Sequence, residues 1–410
     1  MALGQQHKNP GRCNVMSTSQ KSPKKLGPRT NIVHSGRHPS ENQGFVNPPV
    51  YHASTIFYPS YEALQDKNAR YVYGRRGTPT MEALEEAVAA LEGGHGAKIC
   101  PSGLSAITTM LLTFLKAGDH LLVTDSTYRP TRSFCDHVLK GLGIETTYYD
   151  PLIGSNIASM FKDNTKLIYT ESPGSQTMEV QDIPAIAEAA QARGILVSTD
   201  NTWSGGHYFK AFEHGCDISV QAGTKYIVGH SDAMLGTITV SEAHWEQLDR
   251  YWQLIGSCAG PDDIYLGQRG LRTLDVRLER HMKNTIEIAS WLMERPEVAE
   301  VMYPALPSDP GHEIWKRDYT GASGLFSFVL KPVAEEAVAA FFNTLELFGM
   351  GYSWGGYESL AVPFDPTSYR TATEWPHAGS GVRLHIGLED VDDLKADLDR
   401  AFAVLKASSA

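Results

Sequence analysis

The sequence predicts an α/β fold, with a mostly parallel sheet flanked by helices, and a smaller α+β C-terminal domain. Between about residues 80 and 270, segments with the apolar spacing of a helix face alternate with short apolar runs typical of buried strands. After about residue 270 the pattern changes: a long helix is followed by two strands, and each strand is followed by a helix. Regular alternation of strands and helices favours a parallel sheet that is covered on both faces.

The predicted main sheet takes its strands from the first part of this pattern. The turn Pro101-Ser102-Gly103 separates one short strand from the helix that follows it. Asp182 stands directly before another helix, where its carboxylate suits an N-cap. In chain order these elements are helix 80–91, strand 97–100, helix 104–115, strands 120–124 and 166–170, helix 183–192, and strands 195–199 and 217–221.

The C-terminal domain is predicted from fewer and longer elements. Its first helix ends before Pro296, which cannot continue a helix. The predicted elements are helix 275–294, strand 324–331, helix 334–347, strand 382–387 and helix 392–406. We therefore divide the chain into a tail (1–30), an N-terminal arm (31–77), a large domain (78–271) and a C-terminal domain (272–410).

Composition and charge narrow the class of protein before any motif is considered. The chain has 410 residues, 42% apolar and 20% charged, as in globular proteins of more than one domain. No uncharged apolar run approaches the roughly 18 residues that a membrane span needs. The formal net charge of −11 argues against nucleic acid or an anionic membrane as the main partner. Small molecules and other protein chains are the expected partners.

The cysteines and the N-terminal segment bear on location. Five cysteines are scattered without a C-x-x-C pair, which predicts no metal site and a cytoplasmic protein. Cys100 and Cys216 lie in or beside apolar runs and are expected to be buried free thiols. Residues 1–30 hold six basic residues and no acidic one. This composition favours a disordered tail, and an organelle transit peptide is the alternative.

Two predicted strand ends carry residues that suit parts of one cofactor, because ligands of open α/β sheets gather at the carboxyl ends of the strands. At one end, the segment Pro101–Ser105 turns into a helix whose free N–H groups can bind a phosphate. A capped tight turn is the alternative. At another, Asp200 ends a buried strand, where a carboxylate is costly without a positive partner such as a protonated pyridine. Capping of the following turn is the alternative there.

The third strand end carries a lysine. Lys225 follows the strand 217–221, and partial burial would lower the pKa of its amine and let it form a Schiff base. A solvated lysine is the alternative. Lys225 lies 25 residues beyond Asp200. A phosphate cradle, a pyridinium partner and a Schiff-base lysine together predict a cofactor site, and the combination is more specific than any one member.

With these residues in place, the chain is identified as a member of the Cys/Met-metabolism family of pyridoxal-phosphate (PLP) enzymes. The resemblance extends from about residue 32 to the C-terminus and implies the aspartate-aminotransferase-like fold of PLP-dependent transferases. Eight motifs occur in the family's order: YGRRGTPT (73–80), PSGLSA (101–106), ESPGSQTMEVQD (171–182), DNTW (200–203), TKYIVGHSD (224–232), RGLRTL (269–274), SWGGYESL (353–360) and RLHIGLEDVDDL (383–394).

The resemblance implies a role for each residue of the reacting centre. Lys225 would hold PLP as a Schiff base, take the α-proton of the substrate and reprotonate the leaving group. Asp200 would keep the pyridine nitrogen protonated, and Tyr128 would stack on the ring. Arg383 would bind the substrate α-carboxylate with its two-pronged guanidinium, and Ser353 would contact the same carboxylate through its backbone.

The resemblance also implies how the phosphate is held and why an oligomer is needed. The backbone N–H groups of Gly103 and Leu104 and the hydroxyl of Thr224 would bind the phosphate. Tyr73 and Arg75 resemble a pair that reaches the phosphate of the neighbouring subunit, with Tyr73 also beside the substrate. The active site would then require a homodimer, and a homotetramer is expected. An exposed tyrosine and a surface arginine are the alternatives for this pair.

Three positions narrow the branch of the family. Trp354 follows the serine of the SxGG motif, where many γ-acting relatives have leucine, and would border the substrate. Ser175 stands where those relatives have an asparagine that contacts the ring hydroxyl. Both features resemble the bacterial β-lyases of the family. Ala222 replaces a phosphate-binding serine of many relatives, so one phosphate contact is missing or is supplied by Ser102 or Ser105.

The expected reaction is β-elimination at a carbon–sulfur bond. L-Cystathionine and water would give L-homocysteine, pyruvate and ammonia, a step of methionine biosynthesis. The alternative enzymes are a cysteine-S-conjugate β-lyase and a γ-acting relative. A PLP-binding regulator without turnover would have lost a catalytic group, and none of the residues above is missing.

Overall fold

The computed structural model describes residues 26–66 and 69–408, which form two β-sheets with helices packed around them. The helices are α1 (Pro28–His34), α2 (Tyr61–Gln65), α3 (Pro79–Glu92), α4 (Gly103–Phe114), α5 (Arg129–Phe134), α6 (Ile183–Gln191), α7 (Trp245–Ile255), α8 (Pro261–Leu271), α9 (Leu274–Met293), α10 (His312–Asp318), α11 (Glu335–Thr344) and α12 (Val391–Ser408). The strands are β1 (Gly96–Cys100), β2 (His120–Thr124), β3 (Glu145–Tyr149), β4 (Thr165–Glu171), β5 (Leu196–Asp200), β6 (Ile218–Gln221), β7 (Gly236–Val240), β8 (Val298–Met302), β9 (Leu325–Leu330), β10 (Leu360–Phe364) and β11 (Gly381–His385).

The larger sheet has the strand order β3-β2-β4-β5-β6-β7-β1. Neighbouring strands from β3 to β6 pair in parallel, whereas β7 is antiparallel to both β6 and β1. Strands β2, β6 and β7 are buried along their whole length, because helices cover both faces of the sheet. The predicted mostly parallel sheet is confirmed.

One edge of this sheet collects the ends of three adjacent parallel strands. Glu171 ends β4, Asp200 ends β5 and Gln221 ends β6. Helix α4 packs against β6 and β7 and begins at Gly103, directly after the turn that follows β1. Side chains at these strand ends and the N-terminus of α4 therefore border one region, as expected for a ligand site in this class of sheet.

The smaller sheet has the order β10-β11-β9-β8 and is antiparallel throughout. Helices α11 and α12 pack on each other, and α9 contacts both β8 and α12. A single cluster of buried apolar residues continues from these elements to β2, β4 and β5 of the larger sheet. The indole N–H of Trp203 donates to the carbonyl of Leu325 across this junction at 2.9 Å. The two sheets and the helices around them therefore share one apolar core.

The elements predicted from the sequence are present, with ends that differ by at most three residues. Asp182 caps α6 as expected, accepting from the N–H of Ala185 at 3.2 Å. Several elements were not predicted. Strand β7 is an example, since Thr237 and Thr239 interrupt its apolar pattern although both are buried.

The predicted tail, 1–30, needs one correction at its C-terminal end. Residues 1–25 lie outside the described part of the chain, but α1 begins at Pro28 and therefore overlaps the proposed tail. The physical reason is that α1 has partners: Ile32 is buried against the core and its carbonyl accepts from Arg272 at 2.6 Å. Arg29 pairs with Asp275 at 3.1 Å.

The thiols and the helix lengths can be compared with the composition-based expectations. Cys100 and Cys216 are buried free thiols, as predicted, and Cys135 is a third. Cys258 is free and exposed, and Cys13 lies outside the described residues.

None of the helices in residues 26–66 and 69–408 has the length and apolar character that a membrane crossing demands.

Candidate active site

Lys225 lies in the half-buried turn that follows β6. Its Nζ donates a hydrogen bond to the hydroxyl of Ser353 and lies 5.4 Å from the ring centroid of Trp354. Burial, reinforced by the positive charge of Arg383, lowers the pKa of Lys225 to about 8, and the carboxylate of Asp200 opposes this shift. A substantial fraction of the amine is therefore neutral near pH 8, which is the form that can attack an aldehyde or accept a proton.

Asp200 is held at the end of β5 by neutral donors. Its carboxylate accepts the backbone N–H and the hydroxyl of Thr202, at 3.0 and 2.5 Å, and the hydroxyl of Tyr169 at 3.3 Å. Burial raises the pKa of Asp200, although the Thr202 and Tyr169 hydrogen bonds and the charge of Lys225 act against it. No arginine, lysine or histidine among the described residues is ion-paired with this carboxylate. A cationic ligand group would complete its surroundings.

Tyr128 stands at the entrance, on the loop between β2 and α5. Its backbone N–H donates to the carboxyl of Glu171 at 2.7 Å, and the hydroxyl of Thr127 donates to the same oxygen at 3.2 Å. Tyr128 is 44% exposed, so part of the residue is accessible to a ligand. Burial and then the charges of Glu171 and Asp200 raise the pKa of Tyr128, while Arg383 lowers it. Tyr128 therefore lies within electrostatic reach of the other predicted residues.

Arg383 and Ser353 form the side of the site that belongs to the smaller sheet. Arg383, on β11, donates to the backbone carbonyl of Ser353 at 3.1 Å, and burial lowers the pKa of its guanidinium to about 10. Ser353 has a φ of +81°, a region that residues other than glycine seldom adopt. Its turn thus places the hydroxyl on Lys225 and the carbonyl on Arg383.

The predicted phosphate end is built around the first turn of α4. The N–H groups of Gly103 and Leu104 have no acceptor within the helix, and Ser102 caps it by accepting from Ser105 at 3.1 Å. A Cβ on Gly103 would lie 2.4 Å from the Cβ of Ala222, so glycine is needed for this close approach.

The other predicted phosphate contact has a partner within the chain. The Thr224 hydroxyl donates to the carbonyl of Leu235 at 3.0 Å and accepts its N–H at 2.9 Å. Ser102 uses its oxygen as a cap, which leaves its hydroxyl proton for another acceptor. Whether Ala222 costs a phosphate contact stays a prediction to be tested.

Two predicted residues lie on the arm, and one lies beside Glu171. Arg75 donates to the backbone carbonyl of Gln253 at 3.0 Å, and Tyr73 is half exposed. No hydrogen bond joins Tyr73 or Arg75 to Lys225 or Asp200 within the described chain, and their role toward a neighbouring subunit stays a prediction. Ser175 donates through its N–H to the carbonyl of Ser126 at 2.9 Å and through its side chain to Glu171.

Sequence reasoning missed several residues that the structure brings to the site. Glu171 and His385 fall inside motifs that were recognised, but no role was given to either. Glu171 could have been found from its position, since it ends a strand as Asp200 does. His385 carried no such signal. Its importance depends on a turn that is 30 residues away in sequence.

The groups that the structure brings together at this site fit the parts of PLP. A buried carboxylate with neutral partners matches the protonated pyridine nitrogen, and a lysine with a lowered pKa lies within its field. Free N–H groups at the start of α4 match a phosphate. Asp200 ends β5, and Lys225 follows the adjacent strand β6. The carboxylate can therefore pair with the ring nitrogen of PLP while the amine of Lys225 bonds to its aldehyde carbon.

Comparisons with known proteins show what this chain is similar to. The family model described as Cys/Met metabolism PLP-dependent enzyme matches residues 29–403. A putative cystathionine β-lyase of Rhizobium johnstonii is 51% identical, over 93% of this chain and 97% of its own. The cystathionine β-lyase of Escherichia coli is 46% identical, over 91% and 98%. The solved cystathionine γ-lyase of Lactobacillus plantarum, in complex with L-serine, has a TM-score of 0.85 and 30% identity, covering 93% of this chain and 100% of that one.

Proposed function

Because the chain belongs to the Cys/Met-metabolism family of PLP-dependent enzymes, we propose that it cleaves L-cystathionine by β-elimination. The products are L-homocysteine, pyruvate and ammonia, and water is consumed. The observation that carries this proposal is the identity of 46% and 51%, over more than nine-tenths of the chain, to proteins named for that activity. Production of homocysteine places the reaction in methionine biosynthesis.

Substrate binding starts with the α-carboxylate. The guanidinium of Arg383 offers two parallel N–H donors, and its present bond to the carbonyl of Ser353 fixes the direction of the side chain. Burial weakens its hydration, which strengthens an ion pair with a carboxylate that replaces water. The carboxylate and the amino group are then both fixed, so the Cα–H bond has one orientation.

Lys225 performs the proton transfers. When bound, PLP withdraws electrons from Cα of the substrate and so makes the α-proton acidic. The neutral amine of Lys225 takes this proton and delivers one to the departing sulfur of homocysteine. Its lowered pKa, about 8, suits both roles near neutral pH. The hydroxyl of Ser353 holds Nζ in place between these steps.

Asp200 and Tyr128 hold the cofactor in the orientation that this chemistry needs. Asp200 would accept a hydrogen bond from the protonated pyridine nitrogen, and the three hydrogen bonds it already accepts keep its carboxylate fixed. Tyr128 would cover the ring, because its backbone N–H is bonded to Glu171. The N–H groups of Gly103 and Leu104 would bind the phosphate, in the manner expected of a helix N-terminus. Thr224 would join them by turning its hydroxyl away from the carbonyl of Leu235.

The proposal extends to assembly and location. Tyr73 and Arg75 complete the site of a neighbouring subunit, so the working unit is at least a homodimer, and we propose a homotetramer. The bond of Arg75 to Gln253, and not to Lys225, among the described residues of one chain supports this. The four described cysteines are free thiols, which supports a cytoplasmic location.

The relevant second candidate is γ-elimination, because a solved γ-lyase has the same fold. γ-Chemistry needs a second proton to leave Cβ, which requires movement of the substrate or of Lys225. Trp354 packs between Lys225 and Tyr226, with its ring centroid 5.4 Å from the Tyr226 centroid. A bulky indole here restricts that movement and favours β-elimination.

The test is the identity of the keto acid. Purified holoenzyme is incubated with L-cystathionine, and pyruvate and 2-oxobutyrate are separated by chromatography. Pyruvate together with one equivalent of homocysteine is expected. If 2-oxobutyrate and cysteine predominate, the reaction is γ-elimination and the proposed β-elimination is wrong. S-Alkylcysteines as competing substrates distinguish a cystathionine-specific enzyme from a broader cysteine-S-conjugate β-lyase.

A further inference from the structure

We propose that His385 is a positioning residue: its neutral imidazole fixes the turn Ser353-Trp354-Gly355 against Lys225 and Arg383. His385 does not touch the predicted cofactor or substrate groups itself, and it acts through this turn. The inference deepens the proposed function and rests on it, because the turn matters only if Lys225 and Arg383 work on an amino-acid substrate.

The two hydrogen bonds of the imidazole determine its protonation state. Nδ1 lies 3.0 Å from the carbonyl of Glu358, and a carbonyl can only accept, so Nδ1 carries the hydrogen. Nε2 lies 3.1 Å from the backbone N–H of Gly355, which can only donate, so Nε2 presents its lone pair. His385 is therefore the neutral Nδ1–H tautomer. A second proton would break the bond to Gly355.

The surroundings keep the ring neutral. His385 is 1% exposed, and its ring faces those of His281 and Tyr226, at centroid distances of 5.2 and 6.1 Å. Lys225 and Arg383 are the nearby cations. Burial, followed by the field of His281, holds the pKa of His385 well below its ordinary value, and the bond to Glu358 only partly opposes this.

The partner histidine has the same arrangement on its Nδ1 side. His281 Nδ1 lies 2.7 Å from the carbonyl of Ile386, and burial lowers its pKa to about 4. Neither ring is therefore protonated at neutral pH, and repulsion between them would arise only if both took up a proton.

The turn that His385 holds is strained and touches Lys225 from three consecutive residues. Ser353 has φ +81° and Gly355 has φ +89°. A Cβ on Gly355 would lie 3.0 Å from the backbone of Lys225, so this position requires glycine. Trp354 places its ring beside Nζ. Residues held in such backbone regions stay there only when their neighbours fix them, and the Gly355–His385 bond is a direct fixation.

The matched substitutions are His385→Gln and His385→Asn. The amide of Gln reaches the place of Nε2, so its carbonyl can accept from Gly355. The amide of Asn reaches only the place of Nδ1, so it can donate to Glu358 but leaves the N–H of Gly355 without an acceptor. Leaving a buried N–H without an acceptor shifts the equilibrium between the native and a displaced position of the turn by roughly tenfold.

The holoenzyme of each variant is measured in two ways. The first is the visible absorbance of the bound cofactor as a function of pH, without substrate, which reports the titration at Lys225. The second is KM and kcat for pyruvate formation. We expect His385→Asn to shift the absorbance midpoint by at least about half a pH unit and to raise KM about tenfold. His385→Gln should restore both values to within about threefold.

His312→Asn is the control for a histidine-to-asparagine change in general. His312 is also bonded through Nδ1 to a carbonyl, that of Pro304 at 2.9 Å, and packs on Trp315. It should leave both readouts at their wild-type values.

Two results would overturn the proposal. One is an unchanged absorbance midpoint and KM in His385→Asn. The other is an equal loss in the Asn and Gln variants together with a lowered melting temperature, because this marks a purely structural role. If the wild type forms 2-oxobutyrate, the proposed function fails, yet the contrast in the substrate-free absorbance titration still decides the role of His385.

Discussion

Glu171 and Asp200 are register partners on the parallel strands β4 and β5, so two buried carboxyl groups lie side by side at the ends of these strands. Burial, followed by repulsion from Asp200, raises the pKa of Glu171 well above its usual range. Asp200 accepts two hydrogen bonds from Thr202, which favour its charged form. Repulsion disfavours two like charges on adjacent strand ends, and Asp200 also has the hydroxyl of Tyr169 and the charge of Lys225 to stabilise its anion. We infer that Glu171 holds the proton and Asp200 is the anion.

This assignment predicts unequal effects of two amide substitutions. Glu171→Gln replaces one neutral group by another, and the amide oxygen can still accept from Tyr128, so kcat/KM should stay within about threefold of wild type. Asp200→Asn removes the anion that pairs with the pyridine nitrogen and should slow exchange of the substrate α-proton by about 10² or more. Proton NMR in deuterated buffer measures the exchange. Similar losses in both variants would contradict the assignment.

A second prediction follows from the pKa of Lys225, which burial and Arg383 lower to about 8 from the ordinary 10.5. In protein stripped of cofactor, covalent attachment of PLP should speed up as pH rises and level off above about pH 8, because only the neutral amine attacks. Arg383→Gln removes a charge that lowers this pKa, so the midpoint should move to higher pH. Stopped-flow absorbance at a series of pH values measures it.

The control for this titration is Arg193→Gln, since Arg193 is an exposed residue that reaches only Asp163, at 4.0 Å. Its midpoint should match that of the wild type. A wild-type midpoint near 10.5, or no shift in Arg383→Gln, would mean that Lys225 is not influenced by its surroundings in this way.

Complementation tests the third prediction, that Arg75 acts on the neighbouring subunit. Arg75→Ala and Lys225→Ala homo-oligomers should each be nearly inactive. When their chains are mixed and exchanged, half of the dimers are hybrids, and each hybrid has one of two sites intact, so about a quarter of wild-type activity should return. Native mass spectrometry verifies exchange. If the chains exchange and no activity returns, Arg75 does not act on the neighbouring subunit, and its role is the contact with Gln253 in its own chain.

The sequence allowed the reacting centre to be predicted because its parts are local. Asp200 and Lys225 each stand at or just after a strand with a clear apolar pattern, and Gly103 starts a helix after another. Parallel strands bring such ends to one edge, so the prediction needed topology alone. Their roles toward the cofactor were predicted from the family resemblance.

Contacts between distant segments could not be predicted in this way. The bond between Gly355 and His385 depends on how β10 and β11 place the turn before them, and nothing in the spacing of the two residues indicates a hydrogen bond. Asp125 is a similar case, since its partners are almost 250 residues further along the chain. A buried aspartate next to a strand has many possible partners in a sequence, and only the packed structure selects one set.

Those partners belong to a strap, residues 369–373, which lies between β10 and β11 and crosses to the larger sheet. Tyr369 donates to the amide oxygen of Gln176 at 2.8 Å, and Arg370 pairs with Glu179 at 2.8 Å. Asp125 accepts the N–H groups of residues 371–373 at 2.9–3.0 Å and also contacts the guanidinium of Arg132. Asp125 is three residues before Tyr128, so the strap ties the two halves of the site together.

Substitution of Asp125 provides the last prediction. Burial alone would raise its pKa, but the N–H of Thr371, the other strap donors and Arg132 outweigh this and lower it. A lowered pKa means that the carboxylate stabilises the fold above the unfolded-chain pKa of about 3.9, and that this stabilisation fades as pH falls below it. Asp125→Asn should therefore cost about 2–4 kcal/mol of unfolding free energy at pH 7, with a smaller difference at about pH 3.

Urea denaturation at the two pH values measures this difference, with the fully exposed Asp163→Asn as the control that should cost almost nothing. Asp125→Asn should also raise KM more than it lowers kcat, because a loosened strap misplaces Arg383, which follows it on β11, while Lys225 keeps its own contacts on the larger sheet. Equal destabilisation by the two substitutions, or a fall in kcat with an unchanged KM, would show that the strap does not hold the carboxylate-binding side of the site in place.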